Sequence, residues 1–164
     1  MLDIHTNASP TRGLVIDAMK RRSFCTLATV SDAGRPHAAG VLYEMVGTDL
    51  WVNTIDSSRK ARNVAANPHV AVMVPVRRMP VGAPPSAVQF QATARLVPVD
   101  DPEVTALLAE GALKSITSHG ELDAPGSVFI HITPGRVAHT YGLGLPLLKL
   151  ATDPLHAGGR VELA

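Results

Sequence analysis

Residues 24–55 read FCTLATVSDAGRPHAAGVLYEMVGTDLWVNTI, and this stretch decides the fold. Runs rich in β-forming residues occupy 24–30, 37–46 and 50–55, and the turn clusters SDAG and GTD separate them. Turns this short connect neighbouring strands that run in opposite directions. The stretch therefore predicts a meander of three antiparallel strands.

The chain beyond the meander continues mainly as strands. Further strands are predicted at 69–76, 87–97 and 128–133, and 136–141 extends the last of them after a kink at Pro134-Gly135. Short helices are predicted after Ser9, Ser58 and Asp101. Six antiparallel strands with few helices predict a mainly β (α+β) domain that closes into a barrel, because closure removes exposed strand edges.

The bulk composition limits the classes of protein and of partner. A chain of 164 residues with 46% hydrophobic content suits a single domain spanning residues 1–164. We expect residues 1–8 to be a flexible tail and residues 142–164 to be an irregular C-terminal tail. The net charge of +1 gives no general attraction to nucleic acid or to a membrane surface. The absence of a long apolar run or leader and the single cysteine favour a cytoplasmic protein.

The junction WVNTIDSSRKARNVAANP, at residues 51–68, carries the clearest sign of function. A strand ends here and a short helix begins, so unpaired N–H groups and a partial positive charge are expected at the helix start. Ser57 and Ser58 add hydroxyl donors, and Arg59 and Lys60 add full positive charges. These groups predict an anion site, most simply for a phosphate, although a solvated basic patch is the alternative.

The ordered set of motifs resembles the pyridoxamine-phosphate-oxidase-like split-barrel family, which binds FMN or the deazaflavin F420. The resemblance runs through SFCTLATV, SDAGRP, HAAGVLYEM and a hydroxyl–Arg–Lys–x–x–Asn segment closed by Asn-Pro. It is close over residues 23–76 and looser over 87–141. It implies a six-stranded antiparallel split β-barrel of the FMN-binding type. It also implies a homodimer with the cofactor at the interface.

The resemblance assigns cofactor contacts to residues of this chain. Arg59 and Lys60 match the family's phosphate-binding pair, and Gln91 (or Gln89) would reach the cofactor from the partner subunit. The remaining expected contacts lie beside the phosphate or the ribityl chain, along the ring edge, or near the ring face: Ser57, Ser58 and Asn63; Val52, Asn53 and Thr54; Ala39, Gly40 and Val41.

The expected function is that of a flavin-dependent oxidoreductase acting on a small organic substrate, with FMN as the cofactor. The chain lacks the C-terminal Trp and Arg-Leu pair of pyridoxamine-phosphate oxidases, and its only tryptophan is Trp51, so vitamin B6 oxidation is not expected. The alternatives are an F420-dependent oxidoreductase and a non-catalytic flavin, deazaflavin or haem binder. Arg62 and the Arg77-Arg78 pair are the candidates for holding the anionic tail of F420.

Metal and nucleophile chemistry have no support in the sequence. None of the seven histidines falls in HExxH or a similar ligand spacing. His131 and His139 are expected to be barrel or interface residues, with haem as the less favoured role. Cys25 lies in an apolar strand and is expected to be an inert core residue.

Overall fold

The computed structural model describes residues 10–76 and 85–163. The strands are β1 Phe24–Val30, β2 Pro36–Leu42, β3 Glu44–Val46, β4 Asp49–Ile55, β5 His69–Pro75, β6 Ala87–Pro98, β7 Ser127–Tyr141 and β8 Gly158–Glu162. The helices are α1 Arg12–Lys20, α2 Arg59–Ala66, α3 Pro102–Ala109 and α4 Leu147–Thr152. Short 3-10 turns occupy Lys114–Ile116, Glu121–Asp123 and Pro154–His156. The mainly β architecture with short helices is confirmed, and it has the split-barrel arrangement.

The eight strands in residues 10–76 and 85–163 belong to one antiparallel sheet that remains open. Its order is β2-β1-β5-β6-β7-β4-β3, with β8 paired to β7, so the prediction of a closed barrel is wrong. The cause lies at Tyr43, between β2 and β3. Its N–H donates to the Ser23 carbonyl (2.9 Å) and so extends the β1–β2 ladder, while the next residue, Glu44, pairs with Trp51 of β4. The covalent chain at Tyr43 therefore joins the two ends of the sheet.

Tyr43 is also anchored through its side chain. Its side chain is fully buried, and its hydroxyl donates a 2.6 Å hydrogen bond to the Met19 carbonyl at the end of α1. Among the described strands, β2 pairs only with β1. One edge of β2 therefore stays free.

Two further expectations differ from the structure. The strand predicted at 37–46 is split at Tyr43. The predicted extension of 128–133 by 136–141 is confirmed, because both segments lie in β7, whose register with β6 shifts next to Pro134. The C-terminal tail, expected to be irregular, contains α4 and β8. β8 has no clear sequence period because two of its five residues are glycines. A Cβ at Gly159 would lie 2.6 Å from Thr140 Oγ1, so this tight pairing requires a residue without a side chain.

Hydrophobic residues form two buried clusters. The larger cluster consists mainly of side chains from the strands of the sheet, and it includes Cys25, Leu27, Val72 and Phe90. The smaller packs α3 and the turn after it against β4 and β7, and consists of Trp51, Val97, Val104, Leu113, Ile116 and Phe129. This smaller cluster holds the segment around Ile116 beside the strand that leads into α2. No helix in the described part of the chain has the length and apolar character needed to cross a membrane.

Candidate functional site

The start of α2 is built by hydroxyl groups. Ser58 is the N-cap residue, and its Oγ accepts a hydrogen bond from the Ala61 N–H (3.2 Å). Thr54, near the end of β4, donates to the same Oγ (3.2 Å). The predicted helix after Ser58 is confirmed. The hydroxyls of Thr54 and Ser58 are thus partly committed to shaping the turn, whereas Ser57 is exposed beside them.

The orientation of α2 is fixed by a buried polar contact. Asn63 Nδ2 donates a 2.9 Å hydrogen bond to Thr29 Oγ1 of β1, and both residues are buried. Ala61 and Val64 are buried on the same side of the helix. Asn63 therefore faces the sheet and holds α2 against it, and the residue also lines a cavity beside the helix together with Arg59.

A cavity of about 220 Å³ lies beside the free edge of β2, and we call it the edge cavity. It brings four predicted site residues together, and two residues after α3 complete its wall. The lining is Gly40, Val41, Leu42, Asn53, Lys60, Ile116 and Glu121.

The free edge of β2 offers backbone hydrogen-bonding groups near this cavity. The Tyr43–Ser23 bond marks a hydrogen-bonded pair in the β1–β2 ladder. Bonded and non-bonded pairs alternate along an antiparallel ladder, so the N–H and C=O groups of Leu42 and Gly40 point away from β1. A planar ring with amide-like donors and acceptors fits such an edge.

Arg59 and Lys60 line different cavities, although they are adjacent in sequence. Lys60 lines the edge cavity, whereas Arg59 and Arg62 line a polar cavity of about 370 Å³ on the other side of α2. We call this second space the arginine cavity; its lining is Ser31, Asp32, Ala33, Arg35, Pro36, His37, Arg59, Arg62 and Asn63. The first turn of α2 lies between the two spaces.

Several other predicted site residues make contacts within the protein itself. Val52 and Val41 belong to the core, and Ala39 packs partly buried against it. Asn53 Nδ2 donates to Ser127 Oγ (3.1 Å) while the residue also lines the edge cavity. A Cβ at Gly40 would lie 2.8 Å from the Phe24 ring, so the close approach that requires glycine there is made by a side chain of the same protein.

Gln91 lies apart from α2. It is exposed on β6, opposite Ala71 of β5, and faces a third, largely apolar cavity of about 280 Å³ that we call the outer groove. The outer groove is lined by Thr26, Ala28, Ala71, Val72, Met73, Gln89, Phe90, Gln91 and His139. None of these residues lines the edge cavity. The structure therefore does not bring Gln91 to Arg59 and Lys60 within one chain.

Sequence reasoning missed Ile116 and Glu121. The Glu121 carboxylate accepts a 2.7 Å hydrogen bond from the His119 N–H. Hydrogen bonds from the backbone of Glu121 and His119 lower the pKa of this carboxyl below its ordinary value. Gly120 has a φ of +87°, which lets the turn fold back toward the carboxylate. This glycine was the only local signal, because the segment around it has no helical or strand period.

The histidines of β7 have distinct surroundings. His131 Nε2 lies 2.7 Å from Asp49 Oδ2, and its ring stacks on Trp51 with centroids 4.2 Å apart. Thr133 donates to the same Asp49 oxygen (3.1 Å). His139 instead is exposed in the outer groove. Within residues 10–76 and 85–163, no three His, Cys, Asp or Glu side chains converge as metal ligands would.

Comparison with known proteins places the chain in a family. The family model described as pyridoxamine 5'-phosphate oxidase matches residues 15–141, which is most of the chain. The chain belongs to this family. No curated protein sequence is significantly similar to it.

Solved structures of this family's fold resemble the chain along most of their length. The haem storage protein HutZ from Vibrio cholerae is 21% identical with a TM-score of 0.68, and the match covers 78% of this chain and 92% of HutZ. A FAD-binding protein from Mesorhizobium loti is 20% identical with a TM-score of 0.60, covering 74% and 86%. A protein named F420 reductase is 22% identical with a TM-score of 0.52, covering 73% and 91%. These likenesses establish a shared fold.

The residues at the edge cavity fit a flavin-type cofactor. The free edge at Gly40 and Leu42 supplies backbone donors and acceptors for the rim of a planar ring. Lys60 supplies a positive charge at the same cavity, and the start of α2 offers backbone N–H groups for a phosphate. Ile116, buried in the smaller cluster, supplies an apolar wall. The donor set therefore combines a polar rim, an anion end and an apolar side.

Proposed function

We propose that the chain is an oxidoreductase that binds FMN and acts on a small organic substrate. One observation carries the proposal. Among the described residues, the β2 edge that faces away from β1 and the ammonium group of Lys60 have no hydrogen-bonding partner, and both lie at a single cavity beside a helix start. Membership of the pyridoxamine 5'-phosphate oxidase family supports it. F420 in the same site is the close alternative, since both cofactors carry a phosphate.

The phosphate is assigned to the first turn of α2. Arg59 and Lys60 flank this turn on its two sides, and within the described part of the chain neither side chain has a hydrogen-bond or ion-pair partner. Both are long enough to converge on an anion above the helix start. Charge-assisted hydrogen bonds of this kind are about twice as strong as neutral ones.

The chain's own residues would bind and orient the cofactor. A bound flavin or deazaflavin supplies hydride transfer itself. Gly40 and Leu42 would hold the ring edge through backbone groups, and Asn53 is positioned by Ser127 at the same cavity. Ile116 would exclude water on one side, and Glu121 adds a carboxylate to the lining. In this division of roles the cofactor would supply the chemistry, and the chain would supply binding, orientation and exclusion of water.

We also propose a homodimer formed through the outer face of the sheet. Phe24, Leu42 and Met73 are exposed there at 47%, 56% and 39%, and the outer groove between β1, β5 and β6 is largely apolar. Exposed apolar area of this kind favours a partner surface. In a dimer, Gln91 of one subunit would be free to reach the edge cavity of the other.

Non-catalytic binding of haem is a second candidate. His139 lies at the outer groove beside Met73 and Phe90, so an imidazole and apolar side chains share one surface. The similarity in fold to HutZ, a haem storage protein, supports this candidate.

Parallel titrations of the purified protein with FMN, F420 and haem test these functions. We expect FMN to bind and to show a flavin spectrum that bleaches under anaerobic reduction. If F420 binds at least tenfold more tightly than FMN, F420 becomes the assigned cofactor. If haem binds and this binding is lost in His139→Ala, haem binding becomes the assigned function. A bound flavin that no candidate substrate reoxidises or reduces would favour a storage role.

A further inference from the structure

We infer that Glu121 lowers the reduction potential of the bound cofactor, because its carboxylate disfavours the negative charge that reduction leaves on the ring. The inference rests on the proposed function, since it requires a flavin ring in the edge cavity. Glu121 belongs to the segment after α3 and lines this cavity. It is therefore separate from the start of α2, to which the phosphate is assigned.

The carboxylate of Glu121 is fixed in place and ionised. The His119 N–H donates a 2.7 Å hydrogen bond to Oε2, and Gly120 adopts the positive φ of +87° that this turn requires. Leu122, the next residue, packs against the smaller hydrophobic cluster. Hydrogen bonds from the backbone of Glu121 and His119 lower the pKa of the carboxyl. Glu121 therefore carries a negative charge at neutral and alkaline pH.

The charge of Glu121 stays uncompensated once a phosphate is bound. Among the described residues, Lys60 is the other charged side chain that lines the edge cavity, and it forms no ion pair with Glu121. A phosphate monoester carries more than one negative charge near neutral pH, so it offsets the ammonium group of Lys60. His119 Nδ1 lies 3.6 Å from Glu121 Oε1, but an imidazole is a cation only when it is protonated.

Reduction changes the charge of a flavin ring. A reductant transfers two electrons and the solvent supplies one proton, so the neutral oxidised ring becomes an anion in alkaline solution. A protein shifts the potential only by binding one redox form more tightly than the other. A fixed carboxylate beside the ring weakens binding of the anionic form by Coulomb repulsion. Because the Glu121 side chain is 33% exposed, water screens this repulsion, and we expect a roughly tenfold effect on the reduction equilibrium.

The midpoint potential of FMN bound to the protein tests the inference. It is measured by anaerobic titration with dithionite, which is oxidised to sulfite, in the presence of an indicator dye. A pH of about 8.5 keeps imidazole groups such as His119 neutral. We expect Glu121→Gln to raise the potential by roughly 30 mV, because a tenfold change in the equilibrium of a two-electron couple corresponds to that shift.

Two further variants separate the effect of the charge from a disturbance of the turn. Glu121→Asp keeps a carboxylate on the turn and should keep the potential close to that of the unaltered protein. Glu110→Gln removes an equal charge from the exposed C-terminal end of α3, outside the edge cavity, and should leave the potential unchanged.

The outcomes distinguish this inference from the proposed function. A bound flavin whose potential does not rise in Glu121→Gln would overturn the inference and leave the FMN assignment standing. An equal rise in Glu121→Asp would also overturn it, because the position of the side chain rather than its charge would then matter. An unaltered protein that binds no FMN would overturn the proposed function, and the inference with it.

Discussion

Asn63 of α2 and Thr29 of β1 share a buried hydrogen bond of 2.9 Å, and this bond determines which way the helix faces. Because Asn63 points into the sheet, Lys60 is turned toward the edge cavity, while Arg59 and Arg62 are turned toward the arginine cavity. Asn63, which the resemblance makes a neighbour of the phosphate, thus also supports the residues around it.

Replacing Asn63 with leucine should lower the free energy of unfolding by about 1–3 kcal/mol, because it leaves the buried Thr29 hydroxyl without its donor. Thr29→Val in the same background removes the stranded hydroxyl and should recover part of the loss. Urea denaturation followed by the fluorescence of the single tryptophan, Trp51, measures both effects. If the Asn63→Leu variant is as stable as the unaltered protein, the hydrogen bond between Asn63 and Thr29 does not hold the helix.

Cys25 should be unreactive in the folded protein. Burial raises the pKa of its thiol to about 12, against the ordinary value of 9.0. At pH 8 we therefore expect alkylation by iodoacetamide to be at least about 100-fold slower in the native protein than in urea, since the thiolate is the reacting form. Mass spectrometry over time measures both rates.

The same shift predicts a loss of stability at high pH. The folded state holds the Cys25 proton more tightly than the unfolded chain, so the stability that this preference contributes is fully present below the unfolded pKa. It is lost progressively as the pH rises above the ordinary thiol pKa of 9.0. Cys25→Ala removes this titration and is the control. Rapid alkylation of the native protein at pH 8 would contradict the buried assignment.

The sequence predicted the individual strands and helices better than it predicted whether the sheet closes into a barrel. Alternation over 87–97 and the turn clusters identified the strands, because both signals are local. The open edge of β2 could not be read in this way, because it depends on the anchoring of Tyr43 by Ser23 and Met19. Those contacts join parts of the chain about twenty residues apart.

The local parts of the candidate site were predictable from the sequence, but the way they come together was not. The basic doublet and the helix start were recognisable as a local pattern, and the structure confirms the helix. The separation of Arg59 from Lys60 follows from the helix rotation set by Asn63, which no local pattern shows. Glu121 is far from α2 in sequence, and only packing of the smaller cluster brings its segment to the cavity.

Replacing Met73 with glutamate should convert the proposed homodimer into a monomer. Met73 is 39% exposed in the outer groove, where a buried and unpaired carboxylate would cost several kcal/mol at an interface. Ile55→Glu is the control, because Ile55 is similarly exposed, at 42%, but does not line the groove. Sedimentation velocity at micromolar concentration measures the change. A monomeric unaltered protein would rule out the dimer.

The central claim is that a phosphorylated flavin-type cofactor is held at the start of α2, and the dissociation constant of FMN tests it most directly. Each contact from Arg59 or Lys60 should contribute about 1.5–3 kcal/mol, so Arg59→Ala/Lys60→Ala should weaken FMN binding by about tenfold or more. Lys20→Ala/Arg21→Ala removes a similar exposed doublet at the end of α1 and should leave the affinity unchanged. Quenching of flavin fluorescence measures the dissociation constants. Equal dissociation constants for FMN in the unaltered and Arg59→Ala/Lys60→Ala proteins would contradict the account.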